Sequence, residues 1–238
     1  MHLLVSVRSA AEAAAALAGG ADIVDAKDPE AGALGAVPLE VLRDINAAVG
    51  ARRPVTAAVG DAIDEAAIEH HARAFAAAGA RFVKVGFCGI ASAKRIAALA
   101  AAARRGAVAG SAGRSALVVV AYADGGDAAG VTPLALVDVA ARVGARGILL
   151  DTADKHGPGL RTLIDREGLA RWVARAHACG LFAALAGKLT ADDLPFVRAA
   201  GADIAGVRGA ACEGGRAGRL TADRVRRLAS WNHEEVLL

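Results

Sequence analysis

The stretch "GADIVDAKDPEAGALG", Gly20–Gly35, decides how the chain folds. It opens as an apolar run of the kind that forms a parallel strand covered on both faces. It ends in Asp25, Lys27 and Asp28 and turns at once into proline and glycines. The same design, Gly-Ala before an apolar run and a polar tip after it, returns as "GARFVKVGF" from Gly79, "GARGILLDT" from Gly144 and "GADIAGVRG" from Gly201. The glycine suits the left-handed position just past a helix C-terminus. Between these copies stand "HLLVSV" from His2, "PVTAAV" from Pro54, "LVVVAY" from Leu117 and "LFAALA" from Leu181, each followed by a helix-length segment. Eight strand–helix units in series predict an α/β fold, a (β/α)8 TIM barrel forming a single domain over residues 1–238. An open doubly wound sheet would carry a GxGxxG turn after its first strand; here "SVRSAAEAA" follows, without a glycine. The glycine-rich "RRGAVAGSAGRS", Arg104–Ser115, reads as a mobile loop rather than a domain boundary.

Composition narrows the function. Of the 238 residues 55% are hydrophobic, ample for one large core, and the formal net charge is only +3. The basic residues are scattered and aromatics make up 3%, so there is little for base stacking, and a nucleic-acid partner is not expected. A locally positive pocket for a small phosphorylated sugar suits the balance better. Cys88, Cys179 and Cys212 lie far apart, with no CxxC and no zinc-ligand spacing, which predicts reduced thiols in a cytoplasmic protein and no metal. The first apolar run is too short for a secretion signal, and the Ala-rich Ala91–Ala103 is too short and too charged to span a bilayer, so no membrane partner is expected. A homo-oligomer is expected, with the tail "SWNHEEVLL" either docking on another subunit or fraying. His70 and His71 read as surface residues of a helix, Trp172 as core, and Cys88 as a packing residue.

The polar strand ends carry the chemistry, because catalytic residues of a barrel sit where its strands end. Side chains two apart share a face, so Asp25 and Lys27 point the same way. Lys84 lies between Val83 and Val85 and points either into the barrel or out among helices, where an unpaired ammonium is costly. The sixth strand presents Asp151 and, one short loop later, Lys155; the eighth presents Arg208. Singly, such residues are more often surface or structural ion pairs. Their recurrence at the ends of strands two, four and six points to a site. Several amines and carboxylates around one pocket suit carbonyl chemistry, in which one neutral lysine forms an iminium while the others bind anions or move protons. A barrel holds phosphate in the loops after strands seven and eight. Those loops, "LAGKLTADD" and "GVRGAACEGGRAGRL", offer the backbone of Gly187 and Gly209 and the charges of Lys188, Arg208 and Arg216.

Taken together, "DIVDAKDPEAGALG", "FVKVGF" and "LLDTADKHG" resemble the (5-formylfuran-3-yl)methyl phosphate synthase family, also called 4-(hydroxymethyl)-2-furancarboxaldehyde-phosphate synthases. It is the family of the archaeal methanofuran-pathway enzyme and its counterparts in methylotrophic bacteria. The resemblance runs from "LLVSVRSAAEA" to the eighth-strand region and is most specific in D-x-K-[DN]-P-x-x-G-x-L-G. It implies a TIM-barrel lyase of class-I-aldolase type that needs no metal or other cofactor. Such an enzyme joins two molecules of glyceraldehyde 3-phosphate into a phosphorylated furan aldehyde, losing one phosphate and two waters. It further implies that Lys27 forms the Schiff base, that Lys84 accepts a proton, and that Asp25, Asp151 and Lys155 complete the site. The phosphate-loop residues are read from the barrel geometry, not from the resemblance. Two other readings stand beside this one: another class-I Schiff-base sugar-phosphate aldolase, and a non-catalytic barrel that binds a phosphorylated metabolite. A loop is expected to close over the intermediate, with "KDPEAGALG" as its candidate.

Overall fold

A computed structural model describes residues 1–125 and 131–233, the last three by their backbone alone. Eight parallel strands close into a barrel in sequence order: β1 His2–Val7, β2 Ile23–Ala26, β3 Val55–Asp61, β4 Phe82–Gly86, β5 Ala116–Tyr122, β6 Gly147–Asp151, β7 Phe182–Leu185 and β8 Ile204–Val207. Around them run α1 Ala10–Ala18, α2 Leu39–Val49, α3 Glu65–Ala77, α4 Ala93–Ser111, α5 Pro133–Arg142, α6 Leu160–Leu163, α7 Arg166–Ala178, α8 Leu194–Ala199 and α9 Ala222–His233. Two short strands, β9 Cys212–Glu213 and β10 Arg219–Leu220, pair into a hairpin after β8. The (β/α)8 barrel anticipated from the repeats is the fold. Gly20, Gly79, Gly144 and Gly201, which open the four Gly-Ala copies, all have φ between +71° and +103°, so the repeat marks left-handed exits from helices.

Local chemistry starts the helices. Ser9, Asp64, Ser92, Thr132 and Asp165 each accept a hydrogen bond from the backbone N–H three residues on. The strands divide the apolar residues in two. Val5, Val24, Val83, Val119, Ile148 and Ala205 face outward into the layer between sheet and helices. Leu4, Ile23, Val118, Leu149, Ala184 and Ile204 face into the barrel.

One expectation fails. Arg104–Ser115 is not a loop: its first eight residues complete α4. Glycine's poor helix propensity suggested a loop. The glycines are instead needed for packing. A Cβ on Gly106 would lie 2.1 Å from the Glu69 carbonyl oxygen, and one on Gly110 would lie 2.1 Å from that of Arg73. Their absence lets α4 lie directly on the backbone of α3. Trp172 is core as expected, its indole N–H donating to the Pro133 carbonyl at 3.0 Å. His70 and His71 are exposed on α3. Cys88 is exposed too, so its packing role is corrected: the chain has already left β4 where it stands. Residues 234–238 of the tail lie outside the described residues. Among the described residues no helix is long and apolar enough to cross a membrane.

Candidate active site

Parallel pairing fixes which side chains meet. Ser6 of β1, Asp25 of β2 and Thr56 of β3 stand in register across three adjacent strands, all facing inward. Lys27 lies one step nearer the C-terminal mouth on β2's line. Lys84 pairs in register with Ala58, likewise one step above Thr56. Both lysines therefore overhang Asp25. Asp151 ends β6, and Lys155 returns to it from the following loop.

Asp25 is fully buried and its carboxylate is saturated. Thr56 Oγ1 donates to Oδ1 at 2.6 Å, while Lys84 Nζ at 2.6 Å and Ser6 Oγ at 3.0 Å donate to Oδ2. This settles the direction of Lys84: it points into the barrel. Asp151 is nearly as enclosed. Its Oδ1 accepts from Lys155 Nζ at 2.7 Å and from the Thr152 N–H at 2.8 Å. Lys155 Nζ also donates to the Thr152 carbonyl.

Lys27 differs from the other two lysines. Among the described residues its buried ammonium has no hydrogen-bond acceptor, and its ion-pair partner, Asp151 Oδ2, stands 3.7 Å away. Burial is the largest influence and drives its pKa from 10.5 down to about 8. Asp151 and Asp25 oppose that fall, while Lys84 and Lys155 add to it. For Asp151 burial acts upward, but the ammonium groups of Lys27 and Lys155 and the bonds from Lys155 and Thr152 hold the carboxyl below its ordinary value. The three lysines thus fall into two kinds: Lys84 and Lys155 are hydrogen-bonded to carboxylates, and Lys27, among the described residues, is not.

These groups ring the top of a cavity of about 300 Å³ that runs down the barrel axis. A packed barrel fills this space with bulky side chains; here Ala184, Ala186 and Gly206 leave it open. Leu4, Ile23, Val118, Leu149 and Ile204 line its lower half. Phe82 and Phe182, ring centroids 5.4 Å apart and edge to face, stand at the N-terminal ends of β4 and β7 as its floor.

The loops after β7 and β8 border the same cavity through Gly187, Lys188, Arg208, Gly209 and Arg216. Lys188 holds an unusual left-handed backbone, φ +59°, and its ammonium donates to the Gly157 carbonyl. Arg208 is buried and engaged on every side: Glu12 binds two of its nitrogens, and the Ser6, Arg216 and Gly218 carbonyls accept from it. The segment 28–35 is a turn tied at several points. The Asp28 N–H donates to the Gly35 carbonyl at 2.9 Å, the Asp28 carboxylate accepts from the Glu30 N–H at 2.9 Å, and the Pro29 and Gly32 carbonyls accept from Arg216. Asp28 is therefore a loop-capping residue.

Sequence reasoning brought together Asp25, Lys27, Lys84, Asp151 and Lys155 and missed Ser6, Thr56 and Glu12. A hydroxyl inside an otherwise apolar strand was the one signal for Ser6 and Thr56. Among the described residues no cluster of three or more His, Cys, Asp or Glu could hold a metal ion.

Residues 3–229 match the family model of 4-HFC-P synthase. The chain is 36% identical to the (5-formylfuran-3-yl)methyl phosphate synthase of Methanosarcina barkeri, across 97% of this chain and 98% of that one. It is 38% identical to the enzyme of the same name from Methanopyrus kandleri, across 96% and 97%. Among solved structures it resembles 3-hexulose-6-phosphate synthase, with a TM-score of 0.61, 23% identity, and 96% and 99% of the two chains covered. That likeness is one of fold.

Proposed function

The chain belongs to the 4-HFC-P synthase family, and from that premise we propose that it condenses two molecules of glyceraldehyde 3-phosphate into 4-(hydroxymethyl)-2-furancarboxaldehyde phosphate, by way of a Schiff base on Lys27. The single observation that supports Lys27 as nucleophile is its buried amine, without a hydrogen-bond acceptor among the described residues and with a pKa near 8, beside two lysines already bonded to carboxylates. A neutral amine attacks the carbonyl of one triose, and loss of water gives an iminium, an electron sink that acidifies the neighbouring carbon. The resulting enamine adds to the aldehyde of the second triose. Elimination of one phosphate, addition of a hydroxyl to the iminium carbon to close the ring, expulsion of the Lys27 amine and loss of one further water, the second of the overall reaction, leave an aromatic aldehyde carrying the other phosphate. Each step moves a proton beside a carbonyl. Lys84, relayed to Asp25, is the proton acceptor, and Lys155 with Asp151 serves the opposite side. The loops after β7 and β8, which carry Gly187, Lys188, Arg208 and Gly209, receive a phosphate. The enzyme acts as a carbon–oxygen lyase, and its product suits the biosynthesis of a methanofuran-type one-carbon carrier.

Incubation with glyceraldehyde 3-phosphate, with and without borohydride, tests this. The expected result is a reduced adduct mapped to Lys27 and, without borohydride, a furan chromophore. An adduct without furan would replace the reading with a simpler Schiff-base aldolase; neither product would leave a binding protein. The pH profile adds a second check. Because the reacting form is the deprotonated amine, adduct formation should rise about tenfold per unit from pH 6 to 7 and level off above about pH 8. A rise continuing to pH 10 would show an ordinary exposed lysine at work.

A further inference from the structure

The charges around the cavity are unevenly spent. Arg208 is matched by the Glu12 carboxylate, Lys84 by Asp25 and Lys155 by Asp151. Arg216 also lines the cavity, yet, like Lys188, it has no carboxylate within ion-pair distance among the described residues; Asp151 and Asp28 act on it only from farther off. Two of its nitrogens donate to carbonyls, Nη1 to Pro29 and Nη2 to Gly32, the latter at 2.7 Å. A guanidinium has five N–H donors, so three remain. Neutral carbonyls fix the fork in place without cancelling its charge. The opposite side of the mouth is unsuited to an anion. There the Asp61 carboxylate takes bonds from Tyr122 Oη and the Cys88 N–H, and the Asp124 carboxylate from the N–H groups of Ala153 and Asp154.

We propose that Arg216, rather than Arg208, supplies the charge that binds the substrate's phosphate. Through its hold on Pro29 and Gly32 it also ties that phosphate to the segment leaving Lys27. Arg208 is the strut beneath it. Its Nε donates to the Arg216 carbonyl at 3.0 Å while Glu12 grips its far side, so the 209–218 loop is held at a set height above the barrel. The phosphate lies between the Arg216 fork and the loop backbone of Gly187 and Gly209. A planar fork suits phosphate oxygens better than a point charge does. This inference deepens the reading above and rests on it for the identity of the phosphate-bearing substrate.

Glycerol 3-phosphate has the phosphate but no carbonyl, and unphosphorylated glyceraldehyde has the carbonyl but no phosphate, so the two separate binding from imine formation. Calorimetry with glycerol 3-phosphate should show Arg216→Met binding about 30-fold more weakly than the parent protein. Borohydride trapping with glyceraldehyde should stay within about twofold. Arg216→Lys, which keeps the charge and gives up the fork, should lose about fivefold to tenfold in glycerol 3-phosphate binding and stands in if the methionine variant does not fold. Unchanged glycerol 3-phosphate binding in Arg216→Met, or no binding by the parent protein, overturns the proposal. Loss of both glycerol 3-phosphate binding and glyceraldehyde trapping overturns it as well, since Arg216 would then be a structural prop. If the parent protein traps no aldehyde but Arg216→Met loses glycerol 3-phosphate, the Schiff-base reading fails and the phosphate site stands.

Discussion

Lys27→Arg is expected to give no borohydride-trapped adduct and to lower furan formation by roughly a thousandfold or more. Arginine keeps a positive charge beside Asp151, so the electrostatics of the cavity are largely retained. What it removes is the deprotonated form, because a guanidinium does not lose its proton in a protein. Lys84 and Lys155 do not take over, since each amine is hydrogen-bonded to a carboxylate at 2.6 and 2.7 Å. Peptide mapping of the trapped protein reads the outcome directly. An adduct in the variant, on any lysine, would remove Lys27 from its role.

The second large effect concerns Asp25. Asp25→Ala leaves the Lys84 ammonium buried without its carboxylate and takes the acceptor from Ser6 and Thr56. Breaking one side of a buried pair costs about 3–5 kcal/mol, which for a chain of this length lowers Tm by about 10 °C. Removing both partners is different. Asp25→Ala with Lys84→Met replaces the pair by apolar groups and should recover most of that stability. Activity should not return: both variants are expected to form furan about a hundredfold more slowly or worse, because the proposed proton relay is gone. Thermal denaturation of the single and double variants beside their turnover separates the two functions of the pair. If Asp25→Ala melts with the parent protein, Asp25 does not carry the buried charge of Lys84.

Much of this arrangement was legible in the chain because its signals are local. The Gly-Ala repeat encodes a left-handed helix exit followed by a strand, and four of its copies with four intervening runs suffice to count eight. Alternation along a strand puts Asp25 and Lys27 on one face without further information. Lys84 was undecided between two faces because the deciding partner, Asp25, is 59 residues away. Ser6 and Thr56 needed the register of three strands, which no single strand contains. The Arg208–Glu12 pair spans 196 residues and sets a residue of the eighth strand's loop against the first helix. Gly106 and Gly110 misled for a related reason: propensity describes a helix in isolation, and their glycines answer to the backbone of a neighbouring helix. The hairpin of β9 and β10 had too short a pattern to register at all.

The aromatic floor gives the proposed reaction a direction. Below the ring of lysines the barrel offers Leu4, Ile23, Val118, Leu149 and Ile204 down to Phe82 and Phe182, and among the described residues no polar side chain to partner a hydroxyl. A triose entering with its hydroxyls hydrated must stay near the rim, since burying them unpaired is costly. As water is expelled, the organic fragment loses those hydroxyls and becomes a flat aromatic ring, which this lower chamber accommodates. Each dehydration therefore deepens the seat of what remains. On the proposed reaction, the chamber therefore suits the flat product ring better than it suits the hydrated trioses.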